Sequence, residues 1–342
     1  MKSVVKKIIG EDTYLKLAIE YNKFKNNKLL KDNFKVDYSL YKEHSTIFNS
    51  DTFTKVETSI ILDYHGIEKG LLHEEIRFRF AKGRIERLQK NLKLLMEKKE
   101  NFNSQIIVAF QLLCQYYEVH EEANVNIEDF FTLKTYNQYK DILSDSYSSD
   151  FDGVIQKKAE DFYADIAGNF SEFSNSRHSI RSFKQELIEI DIIEQVINLA
   201  TNAPSVCNRQ SSKVYLINEK IKVDTVLKIQ GGFNGFSEKI PQVLILTSNR
   251  NCFYDIGERN QMYVDGGIFL MNLLYSLHYY KIGGCPGNWA KTSSEDIQIR
   301  NLLNLPKEEK VICIIPIGYV EDSVKYCLSK RRNVNEIFSI IK

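Results

Sequence analysis

Proline and glycine are scarce in this 342-residue chain, and scarcest in its first half. All five prolines lie at 204 or beyond, as does the single tryptophan, Trp289, and few of the sixteen glycines fall early. A first half so poor in helix breakers, and so long on Lys, Glu, Leu and Ile, is predicted to be nearly all helical. The six cysteines (114, 207, 252, 285, 313 and 327) form no C-x-x-C pair. That scatter argues against a disulfide framework or a metal site, and suits a reduced, cytoplasmic protein. Neither sign of charge dominates. With 46 basic against 45 acidic residues, a nucleic-acid partner has no electrostatic support. Long hydrophobic runs are missing too: no segment approaches the roughly 18 apolar residues of a membrane span. Charges at Lys6, Lys7, Glu11, Asp12 and Lys16 break every apolar run near the start, so no signal-peptide core is expected. There is no G-x-S-x-G, no P-loop and no Rossmann fingerprint; Gly231-Gly232-Phe233-Asn234-Gly235 reads as a loop.

What is present divides near residue 165. Helices are predicted over about 54–64, 74–99, 104–119 and 127–142. The second shows Ile85, Leu88, Leu92 and Leu95 on one face. Val5, Ile8, Ile9, Leu15 and Ile19 give the first helix an apolar face, read as packing, with a membrane surface as the alternative. A polar linker between Asp141 and Gly153 precedes a further predicted helix over 154–166. The second half alternates. Strands are predicted over 213–218, 243–247 and 311–317, with helices over 187–203, 262–280 and 334–341. This order suits an α+β domain rather than a doubly wound sheet.

The chemistry concentrates in Arg177-His178-Ser179-Ile180-Arg181, two guanidiniums with an imidazole and a hydroxyl between them. Such forks suit a phosphate or carboxylate. Alone, such a group is more often a surface patch than an anion site. One helix further on comes Ala203-Pro204-Ser205-Val206-Cys207-Asn208-Arg209-Gln210. Then follow Gly283-Gly284-Cys285-Pro286-Gly287-Asn288 and a basic run at Lys330-Arg331-Arg332. In this order the four pieces resemble the FMN-dependent nitroreductase family, over roughly the last half of the chain.

The resemblance implies a nitroreductase-like mixed sheet flanked by helices (170–342), preceded by an all-helical extension (1–165). It implies that Arg177, His178, Ser179 and Arg181 hold the FMN phosphate and ribityl chain, with Lys330 and Arg332 completing the phosphate site. Pro204, Ser205 and Asn208 would meet the flavin ring, and Pro286, Gly287 and Asn288 would pass beneath it. FMN would carry hydride from NAD(P)H through its N5 to a small-molecule acceptor, in a homodimer with the flavin at the interface. No side chain need act as a nucleophile, so no catalytic residue is named, and Cys207 and Cys285 are read as packing residues.

Departures are visible. Ser211-Ser212 follows Gln210 where many relatives have Pro-Trp, and the short loop over 223–240 leaves little room for a lid. The first half adds Tyr64-His65-Gly66-Ile67-Glu68-Lys69-Gly70-Leu71, similar to a segment of N-terminally extended nitroreductases often linked with surface-polysaccharide loci. His65 and Glu68, three apart, could share a ligand or belong to a capped turn at Gly70, with His73, Glu74 and Glu75 at the next helix start. Two alternatives therefore accompany the oxidoreductase reading: a dedicated flavoenzyme acting on a sugar or peptide intermediate of polysaccharide biosynthesis, and a vestigial flavin fold serving as a binding module.

Overall fold

The computed structural model describes residues 9–98 and 102–341. Val5 and Ile8, assigned above to the first helix, lie outside the described residues. The chain forms two compact units, the smaller from its first 56 residues with 254–259 and the larger from 57–253 with 260–342. In the smaller unit, helix α1 (Glu11–His44) buries none of its side chains. Arg259 forks onto Asp37 with two bonds of 2.8 Å.

The larger unit opens with a helical bundle. Helix α2 (Phe53–Leu71) starts in the smaller unit and runs past the expected stop at 64, carrying the whole His65–Leu71 segment inside the helix. Gly70 is therefore helical, and Phe80 fills the space where a side chain would stand. Helix α3 (Lys82–Glu97) buries Ile85, Leu88, Leu92 and Leu95, the face expected from their spacing. It begins eight residues later than expected, and His73, Glu74 and Glu75 lie in the preceding turns. Helix α4 (Ser104–Glu122) is the bundle's centre, with Phe110 and Tyr116 fully buried, and α5 (Leu133–Leu143) packs on it.

Two expected helices are absent. Val154–Lys158 is a strand, β1, and only the short helix α6 (Ala159–Phe162) follows it. The partner of β1 is the late strand β7 (Ser323–Cys327), and its β-branched start, Val154-Ile155, suits that ladder. Residues 334–336 form a single 3-10 turn, and 337–341 are not helical. Ile337, Phe338, Ile340 and Ile341 are exposed, and eight residues without a packed face do not sustain a helix.

After α7 (Phe170–Ser176) and α8 (Ile190–Ala200) come β2 (Ser212–Ile217), α9 (Lys220–Gln230), β3 (Gln242–Asn249) and α10 (Gln261–Tyr279). Helix α9 takes the first part, up to Gln230, of the span 223–240 read above as a short loop. Two-residue strands β4 (Gly283–Gly284) and β5 (Gly287–Asn288), helix α11 (Ser293–Leu303) and β6 (Glu309–Gly318) complete the sheet. Its order is β2-β3-β6-β4, with β5 also on β6. The ladders are antiparallel, and a parallel bridge between Ser179 and Gly284 makes the sheet mixed. Leu244, Leu246, Ile315 and Ile317 pack against Ile193 and Val196 of α8 and Leu273 and Leu277 of α10, forming one continuous apolar core. The architecture is α+β, with a nitroreductase-like mixed sheet flanked by helices and a helical region before it.

Candidate functional site

Helix α7 starts with a capping box between Asn169 and Glu172 and ends at Arg177. From there the chain runs extended along the glycine strand, where the Ile180 N–H donates to the Gly284 carbonyl at 3.1 Å. This track fixes Arg177 and His178 in the wall of a cavity of about 580 Å³. Lys330, Arg331 and Arg332, which follow shortly after β7, line the same cavity. The two basic segments, some 150 residues apart in sequence, meet at this cavity, and none of its described lining residues is acidic.

The electrostatics follow from that imbalance. Arg177 is half-buried, and its Nε is sealed from solvent with no hydrogen-bond partner among the described residues. Burial, then the charge of Arg331, pushes its affinity for a proton down. His178 stacks on Tyr326 with ring centroids 4.0 Å apart. Burial and the charges of Arg177, Arg331 and Lys157 bring its pKa down to about 4. Behind it His278, buried and bonded to the Ser176 hydroxyl at 2.8 Å, is also pushed to about 4, by burial and then by Arg177. Both imidazoles are therefore neutral at pH 7. A cationic cavity with a bare guanidinium nitrogen fits a phosphate monoester, which supplies acceptor oxygens and nearly two negative charges.

The other candidates fall in different surroundings. Arg332 lines the same cavity but forks its guanidinium onto Glu57 with bonds of 2.9 Å, so much of its charge is already paired. Arg331 was not singled out from the sequence, although its charge acts on both Arg177 and His178. Its place in the Lys-Arg-Arg run was the available signal. Arg181 sits one step along the extended segment, its guanidinium 3.7 Å from the Cys327 sulfur. Ser179 bridges Gly284.

Pro204, Ser205 and Asn208 do not line this cavity. They form a tight turn in which the Gln210 N–H donates to the Ser205 hydroxyl at 2.9 Å and Asp265 accepts the Val206 N–H. Cys207, Asn208 and Gln210 all adopt positive φ, at 49°, 55° and 48°. Cys207 is exposed there, which overturns its reading as a packing residue, whereas Cys285 is buried as expected. Gly287 and Asn288 pair with Ile314 and Cys313 of β6. A Cβ at Gly287 would come within 2.7 Å of Phe233, so its own sheet and loop use that close approach. Pro286 is half-buried just before it.

The His65 segment approaches the basic cavity from the helical region. His65 Nδ1 lies 2.9 Å from the Glu68 carboxylate, whose other oxygen accepts the Ser329 N–H at 3.2 Å. The donor atoms of His65, Glu68 and Cys327 lie within 4.8 Å of one another. A divalent cation placed among them would also face the guanidinium already resting on Cys327, which opposes it.

Residues 175–234 and 224–319 match the model of the nitroreductase family, less than half of the chain. No curated relative matches. Among solved structures, the chain is similar to a nitroreductase-like protein from Streptococcus mutans (19% identity, 52% of this chain and 100% of that one, TM-score 0.44). It is also similar to an FMN-dependent nitroreductase from Clostridium difficile R20291 (20%, 48% and 92%, TM-score 0.39). A nitroreductase family protein from Clostridium novyi NT gives 22%, 45% and 86%, with a TM-score of 0.39. From residue 175 to 319, the chain carries a nitroreductase-family fold.

Proposed function

We propose that the protein is an FMN-dependent oxidoreductase of the nitroreductase type. The observation that carries the reading is the sealed, unpartnered Arg177 Nε in a cavity lined also by Lys330 and Arg331 and by no described carboxylate. Arg177, Arg331 and Lys330 would hold the FMN phosphate, with His178 and Ser179 beside the ribityl chain and Arg181 toward the ring. Bound FMN would supply the redox chemistry, accepting hydride from NAD(P)H at N5 and passing it to a small-molecule acceptor. The protein's own part is to bind, orient and exclude water.

The reading takes 170–342 as the FMN domain and 1–165 as a mainly helical extension that ends with β1 and α6. Pro204, Ser205 and Asn208 do not line the cavity, and the reading assigns them to the flavin of a second subunit in a homodimer. Among the described residues no helix is long and apolar enough to cross a membrane. We place the enzyme in the cytoplasm, on its scattered free thiols.

The test is FMN binding. Purified protein supplied with FMN should show the bound flavin's visible spectrum. The Arg177→Ala/Arg181→Ala double variant should lose it while keeping its circular dichroism, since charge-assisted bonds to phosphate are each worth roughly 1.5–3 kcal/mol. Wild-type affinity for FMN in the double variant would overturn the assignment.

A further inference from the structure

We infer that the flavin is taken up as the dinucleotide FAD, its adenosine half seated in a second cavity beside the basic one. This rests on the flavin reading above and extends it, because FAD contains the whole of FMN and keeps every contact assigned there.

Three observations carry the inference. The first is a cavity of about 760 Å³, of ordinary size for a small-molecule pocket, lined by helix α4, residues 146–151 and the segment 328–336. It shares Leu328, Lys330 and Asn333 with the basic cavity. A ligand with a phosphate at Arg177, Lys330 and Arg331 therefore has a neighbouring space to extend into. The common wall is held from α4, where Gln105 Nε2 donates to the Lys330 carbonyl at 3.2 Å.

The second is the chemistry of the lining. Ile107, Val108 and Leu328 offer apolar surface, and Phe102 and Phe151 offer rings on which a base can pack. Its one carboxylate among the described lining residues, Glu336, is already engaged by the Ser104 N–H, the Ser104 hydroxyl and Arg332. A neutral nucleoside suits such a space better than a second ionic group.

The third is Gln111. It lines this cavity, it is only 5% exposed, and its Nε2 donates to the Ser146 carbonyl. Its Oε1 has no partner among the described residues. A buried acceptor left bare is costly until a donor meets it. The exocyclic amino group of adenine is such a donor, carried on a flat ring that can lie on the aromatic wall. Lys330, common to both cavities, would then face the pyrophosphate that joins the two halves. The plain structural alternative is that Gln111 only ties α4 to the turn at Ser146 and the cavity takes no ligand.

Competition between the two flavins decides. Purified protein is incubated with equal amounts of FMN and FAD and washed, and the bound flavin is released by heat and identified by chromatography. The wild type should retain FAD over FMN by about tenfold or more, the worth of one satisfied acceptor and a stacked base. Gln111→Leu and Phe151→Ala should each bring that ratio down toward one. If Gln111 is only a tether, its loss lowers the melting temperature and leaves the ratio alone. Equal retention, or a preference for FMN, in the wild type overturns the adenosine site and leaves the flavin reading standing, whether or not the variants fold. A ratio that survives in both folded variants overturns its placement in this cavity. Wild-type protein that retains neither flavin overturns the flavin reading and this inference together.

Discussion

The carboxylate of Glu68, wholly buried on helix α2, accepts the backbone N–H of Ser329, 261 residues further along the chain. Ser329 stands at φ 45°, a left-handed conformation that a non-glycine residue holds only when something fixes it. The next two residues are Lys330 and Arg331. One buried acid of the helical region thus sets the turn that presents the cations of the basic cavity. Glu68→Ala strands the amide and removes the partner of His65, a loss of roughly 1–3 kcal/mol. The expected outcome is a lower melting temperature and FMN affinity reduced about tenfold, read by fluorescence quenching; unchanged affinity would show that the turn stands without Glu68.

Two glycines of the same helix should answer differently to alanine. By propensity, each replacement favours the helix by about 1 kcal/mol. At Gly66 the new Cβ meets the Arg84 side chain at 2.7 Å, a flexible arm that can swing aside. At Gly70 it meets the Phe80 ring at 2.1 Å, and Phe80 in turn contacts Tyr116 with centroids 5.1 Å apart. Overpacking of that kind costs about 1–3 kcal/mol and outweighs the propensity gain. Thermal denaturation should find Gly66→Ala near neutral and Gly70→Ala clearly destabilised.

Helices α3, α8 and α10 were legible in the sequence because their apolar spacing is local and each lays one face on a core. The pairing of β1 with β7 was not. Val154 meets Cys327 only after the intervening chain has folded, and no window around residue 154 contains that information. Within the site, Arg177, His178 and Lys330 could be picked out as cations, but their convergence depends on that same ladder, which delivers the basic run. Arg332 looked equivalent to Lys330 in the sequence. Its difference comes from Glu57, whose position on α2 only the fold discloses. The role of the His65–Lys69 motif was illegible for the same reason: its partners, Ser329 and Gly232, are both long-range.

The neutral imidazoles make a prediction about pH. His178 and His278 have folded-state values of about 4 against an ordinary 6.5. Between those values the unfolded chain binds more protons than the folded one, so stability falls as pH falls. Their contribution is complete above pH 6.5 and is lost progressively down to pH 4, on the order of a few kcal/mol for the pair. Melting temperature in a phosphate-free buffer should drop across this window, and His278→Gln should flatten the slope. Adding FMN should flatten it further, because a bound phosphate offsets the Arg177 and Arg331 charges that hold His178 down. A slope unchanged by His278→Gln would place the responsible groups elsewhere.

Arg331 and Arg332 are neighbours in sequence with opposite duties, and alanine should separate them. Arg331 is exposed at the cavity, and no carboxylate among the described residues is paired with it. Its loss should cost FMN affinity about tenfold, the worth of one charge-assisted bond near 1.5 kcal/mol, and should leave the melting temperature where it was. Arg332 instead answers Glu57, whose side chain is only 5% exposed and which also accepts from Asn103. Removing it leaves a buried carboxylate uncompensated. Since the Arg332 side chain is 33% exposed, the cost should fall toward the low end of that for breaking a buried pair, about 2 kcal/mol. Adding Glu57→Gln to Arg332→Ala removes the stranded charge and should recover part of the stability, whereas the same Glu57 change should do nothing for Arg331→Ala. Equal losses of FMN affinity in the two arginine variants, with no recovery from Glu57→Gln, would make Arg332 a phosphate ligand after all.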